Sequence, residues 1–200
     1  MIPRSPCRRS RGNRLGIAVA VTALSLIGTG CSNTMDHPAD AAATHEMTGA
    51  KPTVLDVDKA REKAKAVSSQ IYDLIDIASA KVTEPGPSIV PCDQDPEHLY
   101  KTEHPWSVYG VPEDELKAGF QRLRDGLPGK GWKTWRYGPN KSRAKALELT
   151  SDSTTEPFSV DAQLWVSSPT VGHEKEPMIV ITIVSGCWRA PKGTDLSTQY

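Results

Sequence analysis

The sequence predicts an α+β domain, an antiparallel sheet of four or five strands with two helices on one face. Three observations carry that expectation. Apolar residues recur every three or four positions over 57–78 and again over 116–127, the period of a helix with one buried stripe. Beyond about residue 130 the period falls to two, as in strands with a core face and a wet face. Helices first and strands afterwards is the order of segregated α+β domains, in contrast to the alternation of parallel α/β folds.

Each element follows from particular residues. Thr53 with Asp56 three residues on resembles a capping pair, and Val57, Ala60, Ala64, Val67, Ile71, Leu74, Ile75 and Ala78 form the stripe behind it. Lys59, Arg61, Glu62, Lys63, Lys65 and Asp73 make the solvated face. Pro85, Pro87 and Pro91 impose an irregular segment that delivers Cys92. A second helix is expected from Pro112, with Glu113, Asp114 and Glu115 matching the positive end of its dipole. Leu116, Phe120, Leu123 and Leu127 are its buried stripe, and Gly126, Pro128 and Gly129 end it.

Trp132 to Tyr137 reads as a strand, Gly138 to Lys141 as a turn, and Ala144 to Thr150 as the antiparallel partner. Phe158, Val160, Ala162, Leu164 and Val166 then alternate with Ser159, Asp161, Gln163, Trp165 and Ser167. Met178 to Val184 is continuously apolar and β-branched, which suits a central strand buried on both faces. A short additional strand is expected at Trp106 to Val111. Trp132, Trp135 and Trp188 are assigned to core or edge packing, since tryptophans are buried on average.

The N-terminal block has a different logic. Arg8, Arg9, Arg11 and Arg14 precede an apolar run from Leu15 to Ile27, then the small residues Gly28, Thr29 and Gly30, then Cys31. Charged start, apolar middle and small residues at a cut site are the parts of a secretory signal. The arrangement resembles the lipobox of bacterial lipoproteins, with Gly28 where the family usually has leucine. The resemblance implies that Cys31 receives a diacylglyceryl group and becomes the first mature residue. Two alternatives stand beside it. A transmembrane helix needs about 20 apolar residues, and this run is shorter and broken by Gly16, Gly28 and Gly30. An ordinary signal cut nearby would leave Cys31 as a free thiol. The domains implied are a signal at 1–30, a lipid-anchored tether at 31–52 and an α+β extracytoplasmic domain at 53–200. The tether is Ala, Thr, Asp, His, Gly and Pro with almost no large apolar residue, a flexible composition. In layout the chain is similar to small cell-envelope lipoproteins of high-GC Gram-positive bacteria, many of which have no assigned activity.

With the signal set aside, five of the 24 basic residues leave and none of the 24 acids, so the mature part carries about −5. That balance argues against nucleic acid as a partner, which needs a basic surface. It also suggests no basic patch for anionic lipid, leaving the acyl chains on Cys31 to hold the membrane. Cys7 leaves with the signal and Cys31 takes the lipid, so Cys92 and Cys187 remain as one expected disulfide of an exported domain. The alternative is two buried thiols.

Candidate chemistry is sparse. There is no Gly-x-Ser-x-Gly elbow, Gly-rich phosphate loop or His-Glu-x-x-His helix. Asp93, Asp95, Glu97, His98, Glu103 and His104 gather near Cys92, but their spacing matches no metal loop and charged loops are usually solvated. No metal and no cofactor are expected. His37 and His45 read as solvated tether residues. Trp165 falls on the wet face of its strand, with Val180, Thr182 and Val184 expected beside it, unless the tether, the 173–177 loop or the Pro191 segment covers them. The functional expectation is a lipid-anchored, non-catalytic binding or accessory module on the extracytoplasmic face of the cell membrane, with a cell-wall component, peptide or envelope protein as partner. The alternative is a hydrolase-like envelope enzyme of unrecognised family, with a structural subunit of a membrane complex third.

Overall fold

Asp56 sets the start of the first helix, α1 (Val57–Ile75), by accepting the backbone N–H groups of Asp58 (2.9 Å) and Lys59 (3.4 Å) on its Oδ1. Thr53 does not cap it. Its carbonyl accepts the Arg189 N–H at 2.9 Å, and Leu55 returns a bond to the Arg189 carbonyl. The chain ahead of the helix is thus tied to the far end of the domain. The computed structural model describes residues 51–83, 85–167, 172 and 176–199. Of its two units, Met1–Ala39 and Asp40–Tyr200, only the second contains described residues. Cys31, the expected signal and nearly all of the expected tether lie outside them. No helix among the described residues is long and apolar enough to cross a membrane.

The second helix, α2 (Glu113–Gly126), begins one residue after Pro112, which stands just outside it, and buries Leu116, Phe120 and Leu123 as expected, with Leu127 buried immediately beyond its end. Two glycines let it approach the end of α1. A Cβ at Gly119 would stand 2.7 Å from Ile77 Cδ1, and one at Gly126 would stand 2.6 Å from Leu74 Cδ2. Arg122 completes the junction by donating to the Ile75 carbonyl (2.7 and 3.0 Å) and the Asp76 carbonyl (2.7 Å). These are the carbonyls a helix end leaves without intrahelical partners.

The sheet has eight strands, not four or five. They are β1 (Lys81–Val82), β2 (Ser88–Pro91), β3 (Leu99–Tyr109), β4 (Trp132–Pro139), β5 (Leu147–Ser153), β6 (Phe158–Trp165), β7 (Met178–Ser185) and β8 (Trp188–Arg189). All named pairings are antiparallel, in the order β4–β5–β6–β7–β3 with β1 and β2 on β3. β1 and β2 lie end to end along the outer edge of β3, while β8 continues the line of β7 along its other side. At that break, Ser185 replaces a ladder partner: its Oγ accepts the Thr102 N–H (2.9 Å) and the Trp188 indole N–H (3.1 Å).

β3 is the largest departure from expectation, since only its end was legible and its one proline, Pro105, marks a loop in sequence. Pro105 is accommodated for a local reason. Ser107, of the same parity, directs its N–H to Thr83 Oγ1 (2.8 Å) and its carbonyl to the Thr83 N–H (3.1 Å), both on the outer edge. Pro105 therefore turns its nitrogen to that edge too, in the gap between β2, which pairs as far as Glu103, and β1, which starts at Val108. A missing N–H costs no ladder bond there.

Cys92 and Cys187 form a disulfide. It crosses β3, joining the end of β2 to the β7–β8 break. One face of the sheet, with Phe158, Val160, Ala162, Leu164, Ile179, Ile181, Ile183, Trp106 and Val108, packs on the helices as the core. β7 is buried on both faces only at its end, where Val184 is 6% exposed: Ile179, Ile181 and Ile183 are fully buried, whereas Met178, Val180 and Thr182 are half-buried on the other face. β4 and β5 are also shifted from expectation. Gly138 and Pro139 stay on β4, and the connection runs over 140–146.

Candidate functional site

Period-two alternation and cross-strand register determine what shares the face away from the helices. β6 places Ser159, Asp161, Gln163 and Trp165 there. Register sets Met178 opposite Trp165, Val180 opposite Gln163 and Thr182 opposite Asp161, and β3 adds Tyr109, Ser107 and Pro105 in the next row. Trp165, Met178 and Tyr109 thus make an apolar band across three strands. Val180 and Thr182 lie on the face expected of them. Trp165 is 43% exposed. Among the described residues no helix covers this face, and the Pro191 segment does not bury the indole; residues 173–175 of the loop expected to cover it lie outside the described residues.

Polar side chains on the same face are linked in a line. The Trp165 indole N–H donates to Gln163 Oε1 (3.2 Å), and Gln163 Nε2 donates to Asp161 Oδ1 (3.3 Å). Thr150 Oγ1 donates to the other Asp161 oxygen (3.0 Å). Glu148 stands beside Asp161 and pairs with Arg136 at 3.0 Å. Burial and the Asp161 charge push Glu148 above the usual carboxylate range, with Arg136 opposing. The line fixes the indole and offers carboxylate and amide acceptors next to a flat aromatic surface, a combination suited to holding a ligand by stacking and hydrogen bonding. The hydroxyl beside a base in this line, Thr150 on Asp161, is buried at 6% exposure.

The acidic and imidazole group near Cys92 does not converge. His98 Nδ1 donates to Asp95 Oδ1 (2.8 Å), and Arg189 approaches the other oxygen at 3.3 Å; the two hold Asp95 below the usual carboxylate range, the His98 bond foremost. Glu103 pairs with Lys101 at 3.4 Å. His104 turns to the helix side, its Nε2 donating to the Pro85 carbonyl (2.8 Å), which leaves Nδ1 to accept the Ser68 hydroxyl (2.7 Å). Among the described residues, no three His, Cys, Asp or Glu side chains are placed to hold a metal ion.

Sequence reasoning missed Met178, Tyr109, Glu148 and Arg136 as members of the face. Alternation already grouped Asp161 and Gln163 with Trp165, but the other four require register. Trp132 and Trp188 are buried as expected, at 5% and 7%; Trp135 is 45% exposed, because a bulge between Thr134 and Arg136 turns it outward on the edge strand. A shallow depression of about 210 Å³ beside Pro96, Glu97, Thr194 and Asp195 is smaller than a typical small-molecule site. No protein-family model, curated protein or solved structure matches the chain.

Proposed function

We propose that this chain is a lipid-anchored cell-envelope lipoprotein, held to the membrane through acyl chains on Cys31, whose extracytoplasmic domain is a non-catalytic binding or accessory module. The anchor reading rests on the order of arginines, apolar run, small residues and cysteine at the N-terminus. A disulfide suits the oxidising side of the membrane. The binding reading rests on one observation: Trp165 stands 43% exposed on a sheet face, bonded to Gln163 and opposite Met178, with Val180 and Thr182 further along the same face. The partner is a cell-wall component, peptide or envelope protein.

Affinity capture of the membrane-bound chain, compared with Trp165→Ala, tests the binding reading. Partners retained equally by the variant would remove it. The alternative, an envelope hydrolase, has the Ser68–His104 hydrogen bond in its favour. Ser68 is only 7% exposed, on a helix packed against β3, so a substrate carbonyl has no open approach. Labelling of Ser68 by a fluorophosphonate would reverse that ranking.

A further inference from the structure

The near-neutral whole and the acidic mature part conceal a local block of positive charge. Between Asp125 and Glu148 the chain has six lysines and arginines and no acid. The fold places them along one border of the sheet. Lys130 lies in the short turn before β4, Lys133 and Arg136 on β4, and Lys141, Arg143 and Lys145 in the connection to β5. β4 pairs only with β5, so its other side is an edge. Among these six, Arg136 has the single ion pair found among the described residues, and the other five are exposed. Trp135 and Tyr137, at 45% and 42% exposure, are interleaved with them, and Arg124 lies over the Tyr137 ring at 4.8 Å. Acids nearby are Glu148 and Asp152, one row in on β5, and Asp125, which pairs with Arg124 at 2.8 Å.

We infer that the β4 edge and the β4–β5 connection form a docking surface for the anionic headgroups of the bilayer to which the domain is anchored. This rests on the anchor reading above and corrects the expectation, drawn from net charge alone, that the domain offers lipid no basic patch. Charge complementarity selects an anionic occupant, at about 1 kcal/mol, or roughly fivefold, for each Lys or Arg brought to such a surface. The aromatic residues favour a bilayer over a soluble polyanion, because amphipathic rings seat at headgroup level while long basic side chains reach to the phosphates. The surface is also a sheet edge and a hairpin tip. On a chain already anchored to the bilayer, docking is intramolecular and its effective concentration is high.

The test uses the full lipidated protein on vesicles of phosphatidylcholine alone and of phosphatidylcholine mixed equally with phosphatidylglycerol, both carrying a nitroxide-labelled lipid. Subtracting the Trp135→Phe variant isolates the Trp135 emission. Docking predicts that Trp135 is quenched on the anionic vesicles only and released by high salt. Replacing Lys133, Lys141, Arg143 or Lys145 by glutamine should lower the docked-to-free ratio by about fivefold each, with circular dichroism unchanged. Equal quenching on both vesicles, or none on either while the protein sediments with them, would overturn the inference. Protein that sediments with anionic but not neutral vesicles, through these same lysines, would support the surface and refute the anchor. Patch-dependent binding to polyphosphate or single-stranded DNA at salt that abolishes quenching would overturn the bilayer as occupant.

Discussion

Replacing Trp165 by alanine separates a face that folds the protein from a face that presents a ligand. A tryptophan side chain offers up to about 250 Å², and at 43% exposure Trp165 keeps somewhat over half of that covered, mainly by its sheet neighbours. At about 25 cal/mol per Å² the covered area sets a ceiling of about 3.5 kcal/mol. The alanine that remains and a partly compact unfolded chain reduce the loss to about 1–2 kcal/mol. There is no cavity contribution, because the vacated space opens to solvent. Trp188 provides the contrast: 7% exposed, 6.5 Å from the Phe158 ring and bonded to Ser185, it should cost about 3–5 kcal/mol when truncated. Urea unfolding of both variants at equal protein concentration measures the difference. If Trp165→Ala loses as much stability as Trp188→Ala, the indole is a core element and the face is not a presented surface.

Three further outcomes follow from the packing. The Cys92→Ser, Cys187→Ser double variant should be less stable by about 2–5 kcal/mol, since the bridge closes a 95-residue separation; unchanged denaturant midpoints would contradict this. Burial pushes His104 below the usual histidine value of 6.5, so between its folded pKa and 6.5 the unfolded chain binds more protons. Its contribution is complete above 6.5 and declines as pH falls through that window, and His104→Gln should flatten the corresponding slope in a plot of unfolding free energy against pH. Gly119→Ala should destabilise by about 1–3 kcal/mol, because the new methyl meets Ile77 and Ile75 at 2.7 and 3.0 Å; a stability gain in the same assay would show that those side chains yield.

Where a residue's role follows from local chemistry, the sequence expectation and the structure agree. Leu116, Phe120 and Leu123 repeat at helical spacing and are buried, and Phe158 to Leu164 alternate as they stand in β6. Roles set by distant partners were not legible. Pro105 marks a loop by itself and becomes a strand residue only because its nitrogen meets the gap between β1 and β2. Met178 to Val184 has the composition of a doubly buried strand, yet both helices lie on one side of the sheet. Thr53 has capping chemistry but is drawn away by Arg189, leaving Asp56 to cap. On the candidate face, Trp165 was visible from alternation, whereas its neighbours Met178, Tyr109 and Glu148 depend on register. The basic edge escaped notice for another reason: net charge averages over the chain, and a surface depends on where the charges stand.

The central claim, that this is a lipid-anchored envelope protein, reduces to one atom, the Cys31 sulfur. Cells expressing the full chain and fed a clickable fatty acid should yield labelled protein in the membrane fraction. Cys31→Ser should abolish the label and release the chain or leave it unprocessed. Gly28→Leu, which brings the site closer to the usual lipobox, should label at least as well. Label that persists in Cys31→Ser, or its absence from the native chain, would contradict the account.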